Sequence, residues 1–125
     1  MKKVIFISAI SGGILFWSIY LQADNFDCRN AETQTEINQC AYQDFQQKNE
    51  ELSQIYQQYY AKLETKRQQQ LQYAQSVWMT FRDLSCQYEA DYYQGGSLAP
   101  MVYSSCLKDK TIERINDLKN YIALY

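Results

Sequence analysis

Between Thr33 and about Arg67 the apolar residues Ile37, Ala41, Phe45, Leu52, Ile55, Tyr56, Tyr59 and Leu63 recur mainly at intervals of three, four and seven. That spacing puts them on one face of an amphipathic helix, with Gln-, Glu- and Lys-rich positions on the other. Thr33 or Thr35 can cap its start, and Glu36, three residues after Thr33, would complete a capping box. A second stripe, Leu71, Ala74, Trp78, Phe81, Ser85, Tyr88 and Tyr92, steps three-four-three-four and predicts a helix suited to antiparallel packing. The join falls near Lys66–Gln70, where neither glycine nor proline marks it. A third helix is expected after Pro100, with Ile112, Ile115, Leu118 and Ile122 on one face. No stretch alternates with period two, so the pattern predicts an all-α fold. The expected architecture is a small three-helix bundle, a long αα-hairpin closed by a shorter C-terminal helix.

Ahead of this domain the chain reads as an export signal. Met1-Lys2-Lys3 leads into an apolar run from Val4 to about Leu21, and Leu21-Gln22-Ala23 fits a cleavage site. Residues 1–23 are therefore read as a signal peptide and 24–125 as the mature domain, with a destination outside the cytoplasm, periplasmic or secreted. An uncleaved anchor is the alternative; the run is near the lower limit for spanning a bilayer, and Gly12-Gly13 and three serines weaken it. No lipobox precedes the first cysteine.

Four cysteines, Cys28, Cys40, Cys86 and Cys106, lie beyond the signal. An even number in a short exported chain implies a disulfide framework. Locality favours Cys28–Cys40, pinning an N-terminal strip to helix 1, and Cys86–Cys106, closing the Gly95-Gly96 loop. Pairings of Cys28 or Cys40 with Cys86 would instead tie helix 1 to helix 2. Structural zinc wants close cysteine pairs, often with histidine, and the chain has no histidine, so no metal or other cofactor is expected.

The ~100 residues after the signal are one domain's worth. Without Lys2 and Lys3, ten basic residues remain against fourteen acidic ones, a net charge of −4. That balance gives no electrostatic case for binding nucleic acid or an anionic membrane and suits a cationic protein partner. Lack of histidine removes the commonest general base and the Ser-His and Cys-His nucleophile systems. Carboxylate pairs such as Glu89 with Asp91 or Glu50 with Glu51 suit a solvated surface better than catalysis, so no enzyme activity is expected. The chain has sixteen glutamines, and because the apolar helical period runs uninterrupted through those of the first two helices, they read as solvated helix faces.

Two segments carry the remaining signal. In Trp78–Cys86, Trp78, Phe81, Arg82 and Asp83 are expected in the structural core, with Arg82 bonding acids or carbonyls on a neighbouring helix rather than a ligand. The stretch from Tyr92 to Tyr103 combines Gly95, Gly96 and Ser97 with Tyr93 and Tyr103, residue types that make adaptable interface contacts. It is the candidate binding loop; an ordinary connector covering the bundle end is the alternative.

Cys28, Ala31, Thr33, Glu36 and Cys40, followed by a helix with Leu52 and Tyr56, resemble the opening of the lysozyme inhibitor LprI-like family. Leu71, Ala74-Gln75, Trp78, Arg82-Asp83 and Cys86 are similar to its second-helix motif, and Gly95-Gly96-Ser97, Cys106, Thr111, Arg114 and Leu118 to its closing segment. One departure is Asn49-Glu50-Glu51-Leu52-Ser53, where the family often has an acidic-Leu-Asn stretch. The resemblance implies a helical, disulfide-containing envelope domain that binds and inhibits lysozyme, and it supplies no catalytic residue. A structural or adaptor module without inhibitory activity is the other reading, which an inhibition assay separates from the first.

Overall fold

The computed structural model describes residues 27–124, so the expected signal segment 1–23 lies outside the described residues. A short 3₁₀ turn, Cys28–Asn30, precedes three helices: α1 Gln34–Tyr60, α2 Thr65–Asp91 and α3 Ala99–Ile122. Among the described residues there is no strand and no helix long and apolar enough to cross a membrane.

α1 begins where the sequence pattern places it. The Thr33 hydroxyl accepts the Glu36 backbone N–H at 3.2 Å, and the Glu36 carboxylate accepts the Thr33 and Glu32 backbone N–H groups at 2.9 Å each. This capping box satisfies donors that the first helical turn would otherwise leave bare. α1 ends at Tyr60, short of the join expected near Lys66–Gln70. The break needs no glycine or proline because side chains stabilise it. Leu63 is buried in the turn itself, and the Gln68 side-chain amide donates to the Tyr60 carbonyl at 3.1 Å. Pro100 lies in the first turn of α3, where its missing N–H costs nothing, so that helix starts at Ala99.

α3, the shortest of the three, organises the packing. It lies against both α1 and α2, which approach each other much less. Its buried face carries Ser104, Cys106, Leu107, Thr111, Arg114, Ile115 and Leu118. Two apolar clusters result. Leu52, Tyr59, Leu63, Leu71, Ile115 and Leu118 fill the end nearest the α1–α2 turn; Cys86, Cys106 and Leu107, with Phe45 and Tyr103 against them, fill the other.

Between the clusters lies a polar layer that joins all three helices. Arg82 Nη1 donates to Asn49 Oδ1 at 3.1 Å and to Thr111 Oγ1 at 3.3 Å, while its Nε donates to Asp83 Oδ1 at 2.8 Å. The Thr111 hydroxyl donates to the Leu107 carbonyl at 2.6 Å, and Arg114 Nε donates to Gln75 Oε1 at 2.9 Å. Trp78 lies against both guanidiniums, with ring centroid distances of 5.1 Å to Arg82 and 5.7 Å to Arg114. Burying two arginines is tolerable only because the donors have acceptors or an aromatic face. No buried side-chain polar atom among the described residues lacks a partner.

This layer corrects the reading of α2. Its buried residues are Leu71, Gln75, Arg82, Cys86 and Ala90, with Trp78 half-buried and packed on the first cluster. Phe81, expected in the core, is 59% exposed, Tyr88 and Tyr92 of the same stripe face solvent too, and Asp83 is half-exposed because it pairs with Arg82 of its own helix from the surface side. Gln75 and Arg82 occupy the inner face, so hydrophobicity and burial part company along this helix.

Candidate functional site

The loop from Tyr92 to Leu98 leaves α2 through consecutive tight turns, in which Tyr93, Gln94 and Gly96 donate their N–H groups to Ala90, Asp91 and Tyr93. Gly95 has φ +82°, a left-handed conformation that side-chain-bearing residues adopt at a cost. A Cβ on Gly96 would stand 3.2 Å from the Tyr93 carbonyl oxygen, so a small residue suits both positions. The loop is held at its base by the Cys86–Cys106 disulfide, with Cα atoms 5.4 Å apart. It is held from the side by α1: the Asn38 amide donates to the Ser97 carbonyl at 3.0 Å. The Cys28–Cys40 bridge, Cα–Cα 5.6 Å, folds the N-terminal strip onto α1 at this same end. Both disulfides are thus the local pairings that the sequence favours.

Of the candidate loop residues, Tyr93, Gly95, Gly96 and Ser97 stand together at the exposed bundle end. Tyr92 and Tyr93 pack edge to face at 5.3 Å, which orders two aromatic rings at the surface. Tyr103 does not belong with them. It lies in the second turn of α3, packed against the cluster of Cys86, Cys106 and Leu107, because Pro100 starts the helix and ends the loop. A shallow hollow of about 300 Å³ lies behind the loop, bordered by Ala90, Gly95, Pro100 and Tyr103.

Charge is divided along the bundle. Around the loop end lie Glu32, Glu36, Glu89 and Asp91, together with the Asp27–Arg29 ion pair at 2.9 Å. Arg29 holds the Asp27 carboxyl below its ordinary range, and the backbone N–H groups of Thr33 and Glu32 do the same for Glu36. Near the α1–α2 turn and the end of α3 lie Lys62, Lys66, Arg67 and Lys119. The other acid pairs are engaged at the surface: Glu51 meets Lys48 and Lys119 at 2.9 and 3.1 Å, Glu89 meets Lys110 at 3.9 Å, and Asp91 accepts from Gln87 at 2.6 Å. These bonds hold Glu51 below the ordinary carboxylate range, Lys48 contributing most. The described residues contain no cluster of three potential metal ligands.

Sequence reasoning missed a groove of about 390 Å³ between α1 and α2, bordered by Asn49, Leu52, Tyr56, Gln75 and Met79. It exists because α3, not α1, covers most of the inner face of α2. The signal for it was the register of Gln75 and Arg82 with Leu71 and Cys86, which marks a polar inner face.

Comparison with known proteins bears on what this scaffold is. A family model described as "Lysozyme inhibitor LprI" matches residues 27–118, from the N-terminal strip to the last buried turn of α3. The chain is also 31% identical over 106 residues to an uncharacterized protein, R02472, of Rhizobium meliloti (strain 1021), the match covering 74% of this chain and 76% of the relative. No solved structure matches it. With both disulfides and all but the last turn of α3 inside the family match, the chain belongs to the LprI lysozyme inhibitor family.

Proposed function

We propose that this protein is an envelope protein, exported through residues 1–23, that inhibits lysozyme by direct binding through the bundle end carrying the 92–98 loop. The observation that carries this reading is the family match across residues 27–118. Two disulfides suit an oxidising compartment outside the cytoplasm. The acidic loop end complements a cationic muramidase and would speed encounter in the orientation that presents the loop. Tyr92, Tyr93 and Ser97 offer aromatic area and hydroxyl donors, a combination able to enter a polar cleft and hydrogen-bond carboxylates. Tyr103 can contribute only from behind, by supporting the loop's base.

Lysis of Micrococcus-type cell walls by lysozyme tests this directly. The oxidised protein should slow lysis, less so at high salt. A Tyr93→Ala/Ser97→Ala variant should lose about tenfold or more in affinity while keeping its melting temperature. No inhibition at a large molar excess of oxidised protein would overturn the proposal.

A further inference from the structure

The face of α2 turned away from the core is apolar. Tyr73 is 74% exposed, Val77 51%, Phe81 59%, Leu84 67%, Tyr88 83% and Tyr92 88%. At 3.6 residues per turn these six fall within an arc of about 100° and run about 29 Å along the helix. At its edges the Lys110 ammonium lies 5.7 Å from the Phe81 ring, and Tyr92 packs against Tyr93. Given ~150–250 Å² per aromatic residue, the stripe offers about 700 Å², close to the ~800 Å² per partner of a standard interface. Patches of this size on soluble chains mark interaction sites.

The occupant is legible in the charges at the stripe's ends. Lys66 sits on the same helical face before Tyr73, and Asp91 on that face beyond Leu84, both exposed. An antiparallel two-fold at the level of Trp78 and Met79 sets Lys66 of one copy opposite Asp91 of the other. The same operation sets Gln70 opposite Gln87, Tyr73 opposite Leu84, and Val77 opposite Thr80. These positions alternate four-three along α2, the spacing of a coiled-coil seam. A parallel pair would stack Lys66 on Lys66 and Asp91 on Asp91, which like-charge repulsion disfavours. We infer that this face binds a second copy of the chain, as an antiparallel two-fold dimer closed at both ends by Lys66–Asp91 pairs.

A two-fold interface is self-complementary, so one stripe with opposite charges at its ends suffices. Each loop 92–98 then sits beside the start of its partner's α2, at opposite ends of the dimer. The inference does not rest on the lysozyme reading, with which it shares only Tyr92 at the end of the stripe.

Sedimentation velocity of the oxidised protein over a concentration series should show a monomer–dimer equilibrium. Leu84→Lys should leave only monomer, with helix content unchanged by circular dichroism. Lys66→Glu and Asp91→Lys should each weaken the dimer by about tenfold, and the double variant should restore it. Carbodiimide should couple Lys66 to Asp91, groups about 37 Å apart along one helix and so joinable only between copies. A monomer at every soluble concentration, or a dimer that survives Leu84→Lys without that cross-link, would overturn the inference. So would a monomeric chain that uses this face to bind lysozyme or lipid vesicles.

Discussion

Arg82 and Phe81 are neighbours whose roles reverse what their side chains suggest. A guanidinium on an inner helix face must find acceptors, and Asn49, Thr111 and Asp83 supply them from all three helices. Phe81 has most of its ring in water. Arg82→Ala should destabilise the fold by about 3 kcal/mol, because it takes a donor from the buried Thr111 hydroxyl, a cation from the Trp78 and Phe45 rings, and opens a cavity. Phe81→Ala should cost less than about 1 kcal/mol, mostly its contact with Lys110. Urea unfolding at concentrations that keep the chain monomeric would measure both, and a Phe81 variant the more damaging of the two would contradict this assignment. The sequence shows that Arg82 needs a partner; which partner, and that it is buried, depends on residues 33 and 29 positions away.

The start of α1 is defended by a local device that responds to pH. The Glu36 carboxylate accepts two backbone N–H groups at the start of α1, and its pKa is lowered from the ordinary value of 4.5. Its folded pKa is the depressed one, so its contribution is complete above pH 4.5 and is lost as pH falls through the lower folded value. Glu51, bonded to Lys48 and Lys119, acts in the same direction. Thermal melts between about pH 6 and about pH 3 should show a falling midpoint, and Glu36→Gln should flatten that slope by removing the titration while keeping an acceptor. An unchanged slope would show that the carboxylate's charge does not stabilise the cap. The capping box was legible in the sequence because cap and partner lie three residues apart. The α1–α2 break was not, since it rests on Leu63 reaching the core and Gln68 reaching back to Tyr60.

Across the whole molecule, the two disulfides hold what a modest core does not. Cys86 is fully buried and its bridge to Cys106 spans a sequence separation of 20, tying α2 to α3 beneath the loop. Replacing both cysteines with alanine should lower stability by about 3 kcal/mol from loop entropy, with a further loss for the emptied volume. Removing Cys28–Cys40, whose separation is 12 and whose N-terminal strip is exposed, should cost less and leave α2 and α3 intact. Differential scanning calorimetry of the two double variants would rank them; the opposite order would contradict the placement of the second bridge in the core.

The number of helices, the cap of α1 and the breakers ahead of α3 depend on residues close together in the chain, so the sequence alone determines them, and it favours the local disulfide pairing. The polar loop with Gly95 and Gly96 is legible for the same reason. Which face of α2 is buried, that α3 joins the other two helices, and that Tyr103 supports the loop from a helix were decided only in three dimensions. Hydrophobic periodicity assumes that the core is apolar. Here an arginine layer occupies its middle, and a tyrosine-rich stripe is left outside, free to meet another molecule.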